Sequence, residues 1–188
     1  TENKSVSLSN TTIDPILPTT FTSGGKGINN ANSMTTITVN INSAGTFGFK
    51  ATVSSESNFD KLTVTVSKNG GSATTVANAI SGNNVSKTYS DTAAVGDVYV
   101  IKAQYTKDDG YDEYNDNGVL DSFTYPANTV VSFTDSSTAG GTSGQDWTSD
   151  GIDGGNGVLF GDSITYNSST SKYDLNNVKL STISSSLV

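Results

Sequence analysis

Short runs in which apolar and polar residues strictly alternate recur along the sequence and constrain its fold more than any other feature. In TITVNIN, at 36–42, Ile37, Val39 and Ile41 are separated by Thr and Asn. Such alternation is typical of a β-strand with one buried face, because successive side chains of a strand point to opposite sides. A register shift of one residue would expose the whole apolar row, so each run also restricts how its strand pairs.

Similar runs, separated by turn-forming residues, predict an all-β fold. β-Branched residues dominate over strong helix formers, which argues against long helices. We expect an antiparallel two-sheet β-sandwich, jelly-roll-like, formed as one domain by residues 31–188 with a long Gly/Ser/Asp-rich loop at 135–157. The strands are predicted at 36–42, 47–53, 62–66, 85–89, 98–105, 120–125, 130–133, 158–160, 164–166 and 178–183. The predicted core consists of Ile37, Val39, Ile41, Phe47, Phe49, Val53, Leu62, Val64, Val66, Tyr99, Ile101, Tyr105, Phe123 and Phe133.

Charge and composition exclude several classes of function. The net charge is −8 at pH 7, and the ten basic residues are scattered singly. Binding to nucleic acid or to an anionic membrane needs clustered Lys and Arg, so we expect neither as a partner. No apolar run is long enough to predict a membrane span. The chain has no His and no Cys, which excludes disulfides, zinc sites and a Ser-His-Asp triad, and an enzyme is not expected.

Residues 1–30 are predicted to form an extension that can act as a donor strand. SVSLS, at 5–9, places Val6 and Leu8 on one face of a short strand, and Pro15 and Pro18 then end the pattern because proline has no N–H to donate. Such a strand can complete the open sheet edge of another subunit, or fold back onto its own. Because the sequence begins with Thr1 rather than Met, we expect a secreted, extracellular or cell-surface protein whose signal peptide has been removed.

The stretch YDEYNDNGVLDSF, at 111–123, crowds acidic and amide side chains together and predicts a calcium site. Calcium binds six to eight oxygens, which a turning loop supplies from alternate residues. The alternative is a solvated turn, since Asp, Asn and Gly all tolerate tight backbone conformations. The residues that follow a calcium-loop spacing are Glu113, Asn115, Asn117, Gly118 and Asp121, and those close enough to add charge are Asp108, Asp109, Asp112 and Asp116.

A second, weaker calcium candidate lies in the Gly-rich region that follows. Its spacing matches no named calcium loop, and a flexible linker is the alternative interpretation. Glu56 and Asp60, in the turn SSESNFD, either complete one of the two sites or cap a hairpin. The candidate ligands of the second site are Asp146, Asp150, Asp153, Asn156 and Asp162.

Three aromatic residues in polar loops are candidates for stacking against a sugar ligand. Trp147 is the only Trp of the sequence, and it lies among Gly, Ser and Asp. An amphipathic ring in such a loop either stacks on a ligand or anchors the loop to the body, and we favour the anchor. Tyr111 and Tyr114 are the other two candidates.

Three stretches resemble a known class of modules. They are GTFGFKATVSSESNFDKLTVTVSKNG from Gly45, the later ISG, and YVIKAQYTKDDGYDEYNDNGVLDSFTY, which ends at Tyr125. The chain is similar to jelly-roll modules of large secreted bacterial proteins, in which an S-E-S-N-aromatic-D-x-L turn is followed by a Y-x-K-D loop and a D-x-[FI]-x-[FY] strand. The resemblance covers about residues 45–125 and implies a β-sandwich with a carbohydrate-binding, adhesive or structural role.

Two functional hypotheses follow. In the first, the chain is the structural subunit of an extracellular filament or tubule, a homopolymer that assembles by donor-strand addition and is stabilised by calcium. Addition of this kind is head-to-tail and does not close, so it produces a fibre. In the second, the chain is a calcium-stabilised carbohydrate-binding or adhesive module of a larger secreted protein. We favour the first.

Overall fold

A computed structural model describes residues 17–135 and 146–150, together with the backbone of four short strands between 152 and 175. Val6, Leu8, Asn156, Asp162 and the strand predicted at 178–183 lie outside the described residues. The strands are β1 (Phe21–Thr22), β2 (Asn32–Asn40), β3 (Gly45–Ser54), β4 (Lys61–Lys68), β5 (Thr74–Ile80), β6 (Val85–Ala93), β7 (Val98–Thr106), β8 (Asn117–Thr124), β9 (Val130–Asp135), β10 (Thr148–Ser149), β11 (Ile152–Asp153), β12 (Val158–Phe160), β13 (Ile164–Asn167) and β14 (Lys172–Leu175).

Two antiparallel sheets face each other, so the predicted all-β sandwich is confirmed. Sheet one has the strand order β11-β10-β1-β8-β3-β6, and sheet two has the order β12-β9-β2-β7-β4-β5. From β2 to β9 the chain passes repeatedly from one sheet to the other, and β13 pairs with β14 separately. No helix in the described part of the chain is long and apolar enough to cross a membrane.

The alternation seen in the sequence sets the register of the central strands. Residues at odd positions of β2 and β7 are buried, while those between them are partly or fully exposed. In the pairing of these strands Ile37 lies opposite Ile101, and Val39 lies opposite Tyr99. Burial of one such side chain contributes about 1.5–3 kcal/mol, which explains why the apolar rows face each other between the sheets.

The predicted core is confirmed with one exception. Thirteen of its fourteen residues are buried, whereas Phe123 is half-buried against the edge of the core. Phe21 covers this edge from β1, with its ring 5.5 Å from that of Phe123 and 5.2 Å from that of Phe133. Phe21 belongs to the stretch that the sequence suggested as an extension, so part of that stretch packs in the sandwich.

Strand β5 was not predicted from the sequence. Its residues do not alternate, since several successive ones are exposed and only Ala77 is fully buried. The pairing of β5 with β4 is also irregular, with shifts of register between Leu62 and Thr65. In the hairpin turn that precedes β5, Asn69 and Gly70 adopt the positive φ angles, 53° and 70°, that Asn-Gly turns favour.

Candidate functional site

The acidic stretch surrounds a buried lysine. The side chain of Lys107 is 2% exposed, and its Nζ donates to Asp112 Oδ1 at 2.5 Å and to Asp116 Oδ2. Asp60 Oδ2 lies 3.7 Å from the same nitrogen. The side chains of Asp60 and Asp116 are fully buried, whereas that of Asp112 is 44% exposed. We call Lys107, Asp60, Asp112 and Asp116 the lysine–carboxylate cluster.

Three chain segments from both sheets bring this cluster together. Lys107 follows β7 and Asp60 precedes β4, and these strands are neighbours in sheet two. Asp116 precedes β8 of sheet one. The cluster therefore joins the two sheets at one end of the sandwich, where the interior row of each sheet ends in a charged residue instead of an apolar one.

The glycine-rich loop at 23–31 covers the cluster. Lys107 N donates to Ala31 O at 2.9 Å, and Gly27 N donates to Asp116 Oδ2 at 3.2 Å. Gly25 has a φ of +99°, and a Cβ atom placed on it would lie 3.0 Å from the Cβ of Ala31. A side chain at this position would be strained in its backbone and crowded, so the glycine allows the loop to close over the lysine.

Residues that surround the cluster donate hydrogen bonds to its two buried carboxylates and hold them in place. Tyr105 Oη donates to Asp116 Oδ1 at 2.8 Å, and Asp108 N donates to Asp60 Oδ1 at 3.1 Å. The other oxygen of Asp60, Oδ2, accepts no hydrogen bond from any described residue. Three of the four oxygens of the two buried carboxylates are therefore held by donors, and the fourth is free beside the lysine nitrogen.

At the three buried residues of the cluster, burial shifts the pKa in one direction, and hydrogen bonds or opposite charges shift it in the other. Burial raises the pKa of Asp60, although the Asp108 N–H and Lys107 oppose the shift. Burial also acts to raise the pKa of Asp116, but hydrogen bonds from Lys107 and Tyr105 outweigh it and lower that pKa. For Lys107, burial alone would lower the pKa, and its hydrogen bonds to Asp112 and Asp116 raise it on balance. These shifts favour the charged forms of Lys107 and Asp116 and the neutral form of Asp60.

The structure brings together only some of the predicted calcium ligands. Asp112 and Asp116 contact the ammonium group of Lys107, while Asp109, Glu113 and Asn115 are exposed around the loop. Among the described residues no group of three or more acidic side chains is arranged to hold a metal ion. A cation was expected to neutralise these carboxylates, and Lys107 supplies the positive charge for two of them.

The second half of the proposed calcium-loop spacing lies in a strand. Asn117, Gly118 and Asp121 belong to β8, where Asn117 and Asp121 share a face but lie about 13 Å apart along the strand, too far to bind one ion. Asp121 instead lies opposite Lys50 of β3, with its Oδ1 3.2 Å from the lysine nitrogen. The expected spacing therefore does not form one continuous loop, because β8 begins earlier than the sequence suggested.

Glu56 and Asp108 form a separate acidic pair beside the cluster. A Cβ atom built on Gly110 would lie 2.9 Å from Asp108 Oδ1 and 3.3 Å from Glu56 Oε2, so the two oxygens flank this glycine. Glu56 Oε2 is buried and accepts no hydrogen bond from a described residue. Neither carboxylate forms an ion pair with Lys107.

The second calcium candidate is not assembled by the residues that can be described. Asp150 accepts hydrogen bonds from the backbone N–H groups of Thr19 and Thr20, both at 3.2 Å, and from Thr19 Oγ1 at 3.0 Å. Asp150 therefore ties this region to the start of the described chain. Asp146 precedes β10, and Asp153 belongs to β11.

The aromatic candidates divide into one buried anchor and two exposed rings. Trp147 is fully buried in the core, and its backbone N–H donates to Asp135 Oδ1 at 2.9 Å. A buried indole offers no face to a sugar, and its position in the core is that of a ring that anchors its loop. Tyr111 and Tyr114 are 82% and 58% exposed, and Phe59 is 54% exposed.

Sequence reasoning overlooked Lys107, Tyr105 and the covering loop as parts of the site. A signal was present, because Lys107 continues the inward register of Tyr99, Ile101, Ala103 and Tyr105 along β7. The two turns that carry the resemblance to secreted jelly-roll modules, SESNFD and YTKD, supply Asp60 and Lys107. Comparison with protein-family models finds no match to this chain, and comparison with curated proteins finds none either.

Proposed function

We propose that this chain is the structural subunit of an extracellular filament or tubule, in which the N-terminal segment of one copy adds to a sheet edge of the next. The observation that carries the proposal is the open edge of sheet one. Strand β6 (Val85–Ala93) pairs along its whole length with β3 and, among the described strands, has no partner on its other side. A long unpaired edge offers a row of N–H and C=O groups to an added strand.

The side chains along this edge suit an amphipathic partner strand. Val85 is 37% exposed, and Val76, Ile80 and Tyr89 are partly buried apolar residues of β5 and β6. A donor strand whose Val6 and Leu8 share one face can cover such residues while its serines remain in solvent. Main-chain hydrogen bonds would then add affinity to the apolar contact.

The two ends of this contact lie on different parts of the subunit, which favours an open polymer. Leu17 packs against the core, and Pro18 O accepts a hydrogen bond from Tyr125 Oη at 3.0 Å, so the N-terminal segment leaves from beside β8. Strand β3 separates β8 from the β6 edge. A donor and an acceptor on different surfaces make a heterologous contact, which propagates as a fibre unless its rotation closes a ring.

Calcium binding at the exposed part of the acidic stretch belongs to the same proposal. Glu56 and Asp108 supply two carboxylates that Lys107 does not contact. Addition of calcium is expected to raise the melting temperature of the protein, because a ligand that binds only the folded state stabilises it by about 2.7 kcal/mol at 100 times its dissociation constant. A Glu56→Gln variant should lose most of this shift. Melting curves that coincide in calcium and in chelator would contradict calcium binding.

A specific observation also favours the alternative function, a carbohydrate-binding or adhesive module. Phe59, Tyr111 and Tyr114 are exposed on two loops that touch each other, since Asn115 N donates to Ser54 Oγ at 3.3 Å. Exposed aromatic rings at one end of a sandwich can stack against sugar rings. This alternative predicts binding to polysaccharide by the monomer, with loss of binding on substitution of Tyr111 by Ala.

Disulfide trapping tests the predicted contact between subunits. The chain has no Cys, so a Val6→Cys variant can be mixed with variants that carry Val85→Cys, Lys87→Cys or Tyr89→Cys, which lie on the face of β6 that Val6 would cover. A disulfide needs Cβ atoms within about 4.5 Å, so oxidation should link two different chains for at least one of these pairs.

The matched control places the cysteine on the other sheet. Lys102 is exposed on β7 in the interior of sheet two, away from both sheet edges. A Lys102→Cys variant should therefore form no disulfide with the Val6→Cys variant. Equal trapping by Lys102→Cys, or no trapping by any of the three β6 variants, would exclude β6 as the acceptor edge.

A further inference from the structure

We propose that Lys107 and Asp116 are joined by an amide bond between the lysine Nζ and the aspartate Cγ, which cross-links the two sheets within one chain. This inference does not depend on the proposed filament function, because the bond would form inside a single subunit. In this proposal, two side chains of the lysine–carboxylate cluster react with each other and become covalently linked.

The two reacting groups are already in contact and shielded from solvent. Lys107 Nζ donates to Asp116 Oδ2, and the side chains of the two residues are 2% and 0% exposed. Groups that the fold holds in contact react as if at very high concentration, since the entropic cost of bringing them together has been met during folding. The only rearrangement required is approach of the nitrogen to the carbon that carries the oxygen it already contacts.

The carboxyl group of Asp116 is arranged as an electrophile. Tyr105 Oη donates to its Oδ1 at 2.8 Å, and Gly27 N donates to its Oδ2 at 3.2 Å. When an amine adds to a carboxyl carbon, negative charge develops on an oxygen, and fixed donors in a water-poor site stabilise that charge. Tyr105 is placed to do so at the oxygen that the product amide retains.

Asp60 is placed to carry the proton that the reaction moves. It is fully buried, its Oδ2 lies 3.7 Å from Lys107 Nζ, and that oxygen accepts no hydrogen bond from a described residue. A carboxylate at this position can take a proton from the ammonium group and later return it to the departing oxygen, as a general base and then a general acid.

The chemical step balances without any oxidant or co-reactant. Asp60 relays one proton from the Lys107 ammonium group to Asp116 Oδ2, and the resulting amine lone pair forms a bond to Cγ of the now neutral carboxyl group, so that the carbon becomes tetrahedral. Asp60 then relays a second proton from the nitrogen to the same oxygen, the bond between Cγ and Oδ2 breaks, and Oδ2 leaves as water. Amine and carboxylic acid become amide and water, and the two buried charges of the ion pair are removed, which avoids the cost of keeping them desolvated.

Asp116 is the favoured partner although Asp112 also contacts the lysine. The side chain of Asp112 is 44% exposed, whereas that of Asp116 is fully buried. Amide formation releases a water molecule, and water in the site would drive the reverse reaction, hydrolysis. A buried carboxylate therefore favours the amide, whereas an exposed one favours hydrolysis. Asp112 also lacks the donor pair, Tyr105 and Gly27, that holds the oxygens of Asp116.

Intact mass spectrometry of the purified full chain under denaturing conditions tests the proposal. The expected mass is lower than that of the sequence by one water molecule. Tandem mass spectrometry of a digest should place the loss in a branched peptide that joins Lys107 to Asp116. A chain with the full mass of its sequence would overturn the proposal, and so would a water loss located at any other residue.

One other source of water loss needs a control. Asp109 precedes Gly110, and an Asp-Gly pair can dehydrate to a cyclic succinimide. Mild base opens a succinimide and restores the water, whereas a side-chain amide is stable to it. Retention of the lower mass after this treatment is therefore expected, and its reversal would overturn the cross-link.

Three variants separate the chemistry from the fold. Lys107→Arg keeps the positive charge but cannot form the amide, so its mass should show no water loss. Asp60→Asn keeps both reacting groups and removes the proton carrier, so most of the chain should remain at full mass. Lys68→Arg alters a half-exposed lysine that pairs with Asp91 and Asp97, and it should retain the water loss in full. A loss of water in Lys107→Arg would overturn the assignment to Lys107.

Discussion

Replacement of Lys107 by methionine is expected to lower the free energy of unfolding by about 3–5 kcal/mol at neutral pH. Methionine fills a similar volume, but it leaves Asp60 and Asp116 buried without the Lys107 nitrogen, which compensates the charge of Asp116 either as its ion-pair partner or by forming the amide. An uncompensated buried charge is far more costly than the loss of an exposed ion pair. Urea denaturation of both proteins, followed by circular dichroism, measures the difference.

Lys68→Met is the matched control for this effect. Lys68 also pairs with two carboxylates, at 3.0 Å and 2.9 Å, but its side chain is 35% exposed. Exposed pairs contribute about 0–1 kcal/mol, so the control should be nearly as stable as the unmodified chain. Equal destabilisation by the two substitutions would contradict the buried position of Lys107.

In chains in which the amide between Lys107 and Asp116 has not formed, the effect of the Lys107→Met substitution should also shrink in acid. The pKa of Asp116 is lowered, although its burial acts to raise it, because hydrogen bonds from Lys107 and Tyr105 outweigh that burial. A lowered carboxyl pKa contributes stability that is present above the unfolded value, about 3.9, and is lost as the pH falls through the folded value. Since the variant lacks this contribution, the two unfolding free energies should converge below about pH 4.

Replacement of Trp147 by alanine is expected to destabilise the fold by about 3–5 kcal/mol, the usual cost of removing a buried aromatic ring. Trp147 is fully buried although the sequence around it consists of loop-forming residues. It holds the segment that contains β10 against the core, so its loss should also release β10 from β1. Thermal unfolding monitored by circular dichroism measures the change.

Trp147→Phe serves as the control for this substitution. It keeps an aromatic ring in the core and removes the indole N–H, which donates to no described residue. The cost should therefore be clearly smaller than that of alanine. A change below about 1 kcal/mol for Trp147→Ala, the usual size of a surface effect, would show that the ring is not part of the core.

The sandwich could be predicted because its central strands obey a single local rule. In β2, β4 and β7 every second residue is apolar, and that pattern is sufficient to locate the strand and the face that it buries. Strand β5 follows no such pattern, and β1 consists of two residues whose position depends on pairing with β8 and β10. Elements of this kind are defined by distant partners, which a local pattern does not reveal.

The candidate site was predicted only in part, because it also depends on residues that are distant in the sequence. The acidic stretch and its need for a positive charge were visible in the sequence, but the origin of that charge was not. Lys107 and Asp116 lie at the ends of rows that alternate into the core, and Asp60 reaches them from another loop. Local spacing suggested a calcium loop from Glu113 to Asp121, whereas the strand expected from residue 120 already begins at Asn117.

Assembly through the N-terminal segment is the central claim, and electron microscopy of the full chain and of a chain lacking residues 1–16 tests it most directly. The deletion leaves Leu17 and Phe21 in place, so the sandwich should fold in both proteins. We expect filaments or tubules from the full chain and dispersed monomers from the shortened one under the same conditions. Identical polymers from the shortened chain, or a full chain that is only ever monomeric, would contradict the claim.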